Sequence, residues 1–233
     1  MWSGPRNLST AMMYSFGARA DMAVVDEPFY AAYLHQSGLA HPMRAEILAS
    51  QPSDPDEVIE RLLGPVPAAK PNFYQKHMSQ HMLPELPRDW ITQVTNVFLI
   101  RHPARVAASF SAKYENPTLA DIGFVQQAEL FDQLLAQGHT PLVIDSSDIR
   151  RDPEGMLKRL CAALGLGWDR AMLQWPAGGH RDDGVWAPHW YGAVHASTGF
   201  APAEGYLPDL TQTQQVLCDA ALPAYEHLQH HKI

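Results

Sequence analysis

The residues best equipped for chemistry fall in three runs. The first, Ser3-Gly4-Pro5-Arg6-Asn7-Leu8-Ser9-Thr10, lies at the start of the chain. Gly4 permits a tight backbone path, Pro5 stiffens it, and Arg6 adds a permanent cation. A helix starting near Asn7 to Ser9 leaves its first N–H groups unpaired, and those donors with the helix dipole attract phosphate or sulfate. The same residues also suit a capped surface helix, because Asn7, Ser9 and Thr10 are ordinary N-caps. The second run, VFLIRHPARVAASF, sets Arg101 at a strand end and Ser109 eight residues later in the next helix. A guanidinium fork and a hydroxyl can share one phosphate, with Arg105 enlarging the positive field; alternatively, Arg101 pairs with a strand-end carboxylate.

The third run, NFYQKHMSQH, holds Lys76, His77 and His81. Together with Asp26 and Glu27 of VVDEPF it supplies the candidates for a general base. Lys76 and His77 are neighbours, so on an extended strand they point to opposite faces unless the strand ends there. His77 can equally be a hydrogen-bonded strand-end ring. His77 and His81 also form an H-x-x-x-H pair, but neither the Glu of H-E-x-x-H nor a clear third ligand accompanies them.

These groups need elements to position them. The apolar, β-prone runs MAVVDEPF, NFYQKH, NVFLIRHP and PLVIDSSD each end in polar or turn-forming residues and read as buried strands. Helical patterns lie between them, at Met12 onward, Glu57 to Leu63, Val106 to Lys113 and Phe124 to Leu135. Alternating strands and helices predict parallel crossovers and a sheet covered on both faces, with ligands at the carboxyl ends of the strands. Asp26-Glu27, Lys76-His77 and Arg101-His102 all fall at such ends. Downstream, Asp152 can cap a helix that Pro153 opens, and Leu157, Leu160, Cys161 and Leu164 give it a core face. Residues 178–205, rich in Gly, Pro, Trp and His, form a long segment without periodicity, which predicts a lid or substrate loop. In it Trp186, His189, Trp190 and Tyr191 either close over a ligand or form a small aromatic core.

The chain has 233 residues, enough for one α/β domain spanning 1–233. A formal net charge of −8 argues against a nucleic-acid surface, so any anion site must be local. Cys161 and Cys218 are too few for a disulfide framework and fit a reducing cytoplasm. No apolar run is long enough to span a bilayer, and no basic segment followed by an apolar one opens the chain. These features predict a soluble cytoplasmic protein with neither membrane nor nucleic-acid partner. They leave the oligomeric state open.

From Trp2 to about Gly167 the order of GPRNLST, the Arg101 to Ser109 spacing and DSSDIRRDPEGMLKRLCAALGL resembles sulfotransferases that use 3′-phosphoadenosine 5′-phosphosulfate (PAPS). The likeness extends weakly into RDDGVW. VVDEPFY, YQKHM and GVWAPHWY are similar to a bacterial branch of the family. The resemblance implies a three-layer α/β/α fold of the P-loop nucleotide-binding type with a mainly parallel sheet. It implies that Arg6, Asn7, Leu8, Ser9 and Thr10 hold the 5′-phosphosulfate, that Arg101 and Ser109 hold the 3′-phosphate, and that Arg181 adds to the nucleotide site. His77 or Glu27 would be the base, with Arg6 and Lys76 in catalytic roles and no metal. The implied reaction moves a sulfuryl group to a hydroxyl or amine of a small acceptor. Three departures stand out: Leu8 where many relatives have Gly, Arg6 where many have Lys, and only Met1 and Trp2 ahead of the turn. With so short a first strand, the sheet is expected to lose pairing in its middle. A P-loop phosphotransferase or hydrolase is the rival enzyme, although G-x-x-x-x-G-K-[ST] is missing. A nucleotide-binding protein without turnover is the other alternative.

Overall fold

The computed structural model describes residues Met1–Ile233. Five strands, β1 (Trp2–Ser3), β2 (Met22–Asp26), β3 (Asn72–Met78), β4 (Val97–Ile100) and β5 (Leu142–Asp145), form one sheet in the order β2-β3-β1-β4-β5. Every neighbouring pair is parallel. The connections from β1 to β2, β2 to β3 and β4 to β5 carry α-helices, and the one from β3 to β4 carries two short 3-10 turns. In β4 the side chains alternate: Phe98 and Ile100 enter a core with the helices Pro103–Ser111, Phe124–Ala136 and Gln212–Gln229, whereas Val97 and Leu99 enter one with Ser9–Gly17 and Pro153–Ala163. Both faces are buried, so the strand reads as an unbroken apolar run. The result is the three-layer architecture expected.

Two-residue β1 holds the centre of the sheet. Trp2 pairs with His77 on one side and Phe98 on the other. The Met1 amine donates to Gln75 O at 2.7 Å, and the His77 N–H donates to Met1 O at 2.9 Å. A groove of about 390 Å³ lies beside Met1, lined by β3 residues Asn72 to Gln75 and by Thr95 to Val97. No helix is long and apolar enough to cross a membrane.

Over the carboxyl ends of the strands sits a third, smaller core. Tyr30, Tyr33 and Leu34 of the helix Tyr30–Ser37 pack there against Trp186, Ala187 and Tyr191. Residues 178–205 are thus tied to the body of the fold. Gly184 N–H donates to Asp26 Oδ2 at 3.1 Å, Tyr14 OH donates to Asp183 Oδ2 at 2.6 Å, and an isolated bridge joins Gln174 to Gly199.

Candidate active site

The turn after β1 is built by close approach and by left-handed backbone. A Cβ on Gly4 would stand 2.4 Å from the Ile122 carbonyl oxygen, so the glycine is required by packing rather than by a special dihedral angle. Arg6 and Leu8 have φ of 62° and 72°, the region that favours glycine. At Leu8, where many resembling sequences carry Gly, that preference has a structural reason. Leu8 is also the N-cap of the helix Ser9–Gly17, and no side chain caps it, so the first N–H groups stay free for an anion. Asn7 is fully buried; its Nδ2 donates to Leu99 O at 3.2 Å, and its Oδ1 has no partner. Gln127, from the helix Phe124–Ala136, braces the same corner by donating to Trp2 O and Leu99 O. One Gln on an amphipathic helix left no trace in the sequence pattern.

Beside this turn lies a cluster of arginines. Arg6 Nε donates to Ser109 Oγ at 2.9 Å, and Arg101 Nη1 donates to Arg6 O. Arg101 and Ser109 do come to the same place, but Ser109 bonds Arg6. Arg101 instead meets the Glu204 carboxylate, which Arg150 Nη1 also meets at 2.6 Å and Arg105 Nε at 3.3 Å. Burial opposes the charge on Glu204, but the hydrogen bond and charge of Arg101, with Arg150 and Arg105, hold its carboxyl below the usual range. The alternative, Arg101 paired with a strand-end carboxylate, is met only in part: the partner is a carboxylate, but it comes from coil rather than from a strand end, and the cluster holds it as an anion. Arg150 was missed in the sequence reading; the available signal was its place just after β5, at the same end of the sheet. Glu204 lies in coil far from its partners in sequence and carried none.

β3 settles the alternation between Lys76 and His77. Lys76 and Met78 line the cleft with the turn; Gln75 and His77 face the groove beside Met1 instead. His77 is stacked on Trp2 with ring centroids 4.4 Å apart and meets Gln75 Oε1 at 3.2 Å. Burial lowers its pKa well below the ordinary value, so it stays neutral. The ring expected as a base therefore lies on the face of β3 turned away from the cleft. Arg181 is likewise not brought to the cleft: its side chain is 78% exposed and bonds Asp182.

The cleft holds Glu27 and His81 in place of His77. Glu27 follows β2 with φ of 39°, a left-handed conformation that costs an ordinary residue about 1–3 kcal/mol. Three backbone bonds fix it: its N–H donates to Lys76 O, its carbonyl accepts from Tyr30 N–H, and Gln51 Nε2 donates to the same carbonyl. The turn aims the side chain into the cleft. There Glu27 Oε1 accepts from Lys76 Nζ at 2.7 Å and from Tyr191 OH at 3.0 Å, while Oε2 faces His81 Nε2 at 4.0 Å.

Lys76 Nζ also donates to Asp26 Oδ1 at 2.8 Å and to Tyr191 OH at 2.6 Å. An ammonium has three donors, and all three are committed. Burial disfavours the charge of Lys76, but the two carboxylates outweigh it and raise its pKa. Lys76 therefore orients Glu27 and has no N–H left for an incoming group.

The cleft of about 310 Å³ thus runs from the turn and Arg101 to Glu27, His81, Tyr30 and Tyr33, roofed by Trp190, Tyr191 and Val194. A family model described as the sulfotransferase domain matches residues 1–232. Two Arabidopsis thaliana proteins named branched-chain-amino-acid aminotransferase-like proteins 1 and 2 are 36% and 35% identical over 230 residues, 99% of this chain. The chain spans only 41% of the length of either. Among solved structures, the sulfotransferase domain of the Synechococcus PCC 7002 olefin synthase superposes with a TM-score of 0.53 at 18% identity, covering 94% of this chain and 92% of that one. The sulfotransferase domain from the curacin biosynthetic pathway gives 0.51 at 12% identity, with 94% and 95% covered. At such identities these two structures establish the fold.

Proposed function

The chain belongs to the sulfotransferase domain family, and we propose that it moves a sulfuryl group from PAPS to the hydroxyl or amine of a small acceptor. The observation that carries this reading is the arginine cluster, which already grips a carboxylate next to an uncapped helix and faces a buried glutamate across one cleft. The nucleotide supplies an activated sulfuryl group whose leaving oxygen belongs to the 5′-phosphate. Free N–H groups at Ser9 and Thr10, with Arg6, stabilise charge on that phosphate as it leaves. Arg101, Arg105 and Arg150 suit a 3′-phosphate, because planar guanidinium groups bind tetrahedral anions by paired hydrogen bonds. The acceptor oxygen bonds sulfur as the sulfur–phosphate oxygen bond breaks. The electron pair leaves with the phosphate, and the hydroxyl proton passes to Glu27 Oε2. A sulfuryl group carries less charge than a phosphoryl group, which lets arginine and backbone donors suffice.

The aminotransferase-like name of the plant relatives belongs to proteins more than twice this chain's length.

Thermal stabilisation tests the donor. The 3′,5′-bisphosphate product should raise the melting temperature more than adenosine 5′-phosphate or ATP with Mg²⁺. At a hundred times its dissociation constant it adds about 2.7 kcal/mol. Arg101→Ala should erase the preference for the 3′-phosphate. Equal shifts for the two adenosine nucleotides would remove the assignment, and a larger shift with ATP and Mg²⁺ would favour phosphoryl chemistry.

Glu204 competes with any 3′-phosphate for the same guanidinium groups. Glu204→Gln keeps the shape and removes the charge, so affinity for the bisphosphate should rise by about tenfold, equivalent to about 1.4 kcal/mol. Affinity for adenosine 5′-phosphate should change far less. Isothermal titration of both nucleotides checks this, and an equal gain for both would place Glu204 outside the 3′-phosphate site.

A further inference from the structure

The acceptor end of the cleft carries a chemical signature of its own. His81 is sandwiched between Tyr30 and Tyr33, with ring centroids 4.4 and 4.8 Å away. Tyr30 OH bonds His41 Nδ1 at 2.5 Å, and the His41 ring lies 5.7 Å from that of Trp190. Phe110 completes the wall. Aromatic faces of this kind hold flat, apolar bodies at low entropic cost. The one cation here, Lys76, has every donor committed to Asp26, Glu27 and Tyr191. Arg6 lies in the turn against Ser109, and Arg101, Arg105 and Arg150 gather around Glu204. A carboxylate or sulfate on the acceptor would therefore be desolvated beside Glu27 with nothing to pair it, which is costly. Burial also keeps His81 and His41 uncharged by lowering their pKa values. His81 Nε2 stands 4.0 Å from Glu27 Oε2, so the two can flank a single hydroxyl.

We infer that the acceptor is an uncharged hydroxyl compound with a flat, apolar or aromatic body, and that the site discriminates against anionic acceptors such as acidic sugars and hydroxy acids. This rests on the sulfuryl-transfer reading for the word acceptor; the shape and charge preference of the pocket stands apart from it. The hydroxyl sits between Glu27 Oε2 and His81, and the body lies against Trp190 and Tyr33.

Fluorescence titration with 2-naphthol, 6-hydroxy-2-naphthoate and methyl glucoside, with and without saturating 3′,5′-bisphosphate nucleotide, tests the inference. The three probes vary charge and flatness around a common hydroxyl, the glucoside being read by displacement of naphthol. Naphthol should bind at least about tenfold more tightly than its carboxylate, and the glucoside more weakly than naphthol. Trp190→Ala should weaken naphthol by roughly three- to tenfold without altering nucleotide affinity. Tyr33→Leu should do the same, and its melting curve separates lost binding from lost folding. Carboxylate binding as tight as naphthol overturns the charge preference. Glucoside binding as tight as naphthol overturns the flat-body preference, and a Trp190→Ala effect on nucleotide alone moves that ring to the donor end. If the bisphosphate itself fails to bind, the donor reading falls, while the naphthol pair still decides the pocket's preference.

Discussion

Glu27→Gln is expected to slow single-turnover sulfuryl transfer by roughly 10²- to 10⁴-fold while leaving affinity for the 3′,5′-bisphosphate nucleotide unchanged. A hydroxyl attacking sulfur must lose its proton as the new bond forms, and the amide of Gln cannot take it. The fold should tolerate the change. Lys76 keeps Asp26 as its counter-ion at 2.8 Å, and the amide oxygen can still accept from the ammonium. His81→Gln is the informative companion, because His81 Nε2 stands 4.0 Å from Glu27 Oε2 and would share or relay the proton. Its loss should be smaller than that of Glu27→Gln. His77→Gln should leave the chemical step near normal, because that ring faces the groove behind β3. If His77→Gln abolished chemistry with folding and nucleotide binding intact, the assignment drawn from the alternation of β3 would be wrong.

That alternation shows what the sequence could and could not carry. The strands were legible because parallel strands buried on both faces are near-continuous apolar runs, as VFLI in β4 is. The anion turn was legible because Gly, Pro, Arg, Ser and Thr each have a narrow local role. The facing of Lys76 and His77 was open only because the end of β3 was unknown; with the strand running to Met78, the period of two decides it. The polar hub was not legible. Tyr191 reaches Asp26 and Glu27 across more than 160 residues, and Glu204 reaches Arg101 across 103. Such contacts depend on where a coil lands over the sheet, which no local pattern encodes. Residues 178–205 illustrate the same limit. Their aromatic content suggested either closure over a ligand or a small core; Trp186 and Tyr191 are buried in the third core, while Trp190 and Val194 line the cleft.

The hub also sets the largest stability effect expected in this protein. Lys76 has 1% of its side chain exposed, and it is the only cation for Asp26, equally buried, and for Glu27. Lys76→Met preserves most of the volume but leaves two carboxylates in a dry site, and removing one partner of a buried pair costs about 3–5 kcal/mol. Urea unfolding at pH 7.5 should show a loss of that size. The pH dependence identifies its cause. In the native chain Lys76 has its pKa raised above its ordinary 10.5, so its contribution is fully present below that pH and disappears only in strong alkali. Across pH 5 to 8 it is constant. Burial already lifts Asp26 above its ordinary 3.8 despite the opposing charge of Lys76. Without the ammonium that opposition is gone, so the folded variant takes up a proton more readily than the unfolded chain. Its stability should then rise as pH falls, and the deficit against the native protein should narrow between pH 8 and pH 5. Adding Asp26→Asn to Lys76→Met should recover part of the loss at pH 7.5 and flatten the profile, since one buried charge has been removed. A deficit that stayed constant with pH and did not respond to Asp26→Asn would mean that Lys76 contributes packing against the Tyr191 ring, 4.7 Å from its ammonium, rather than charge.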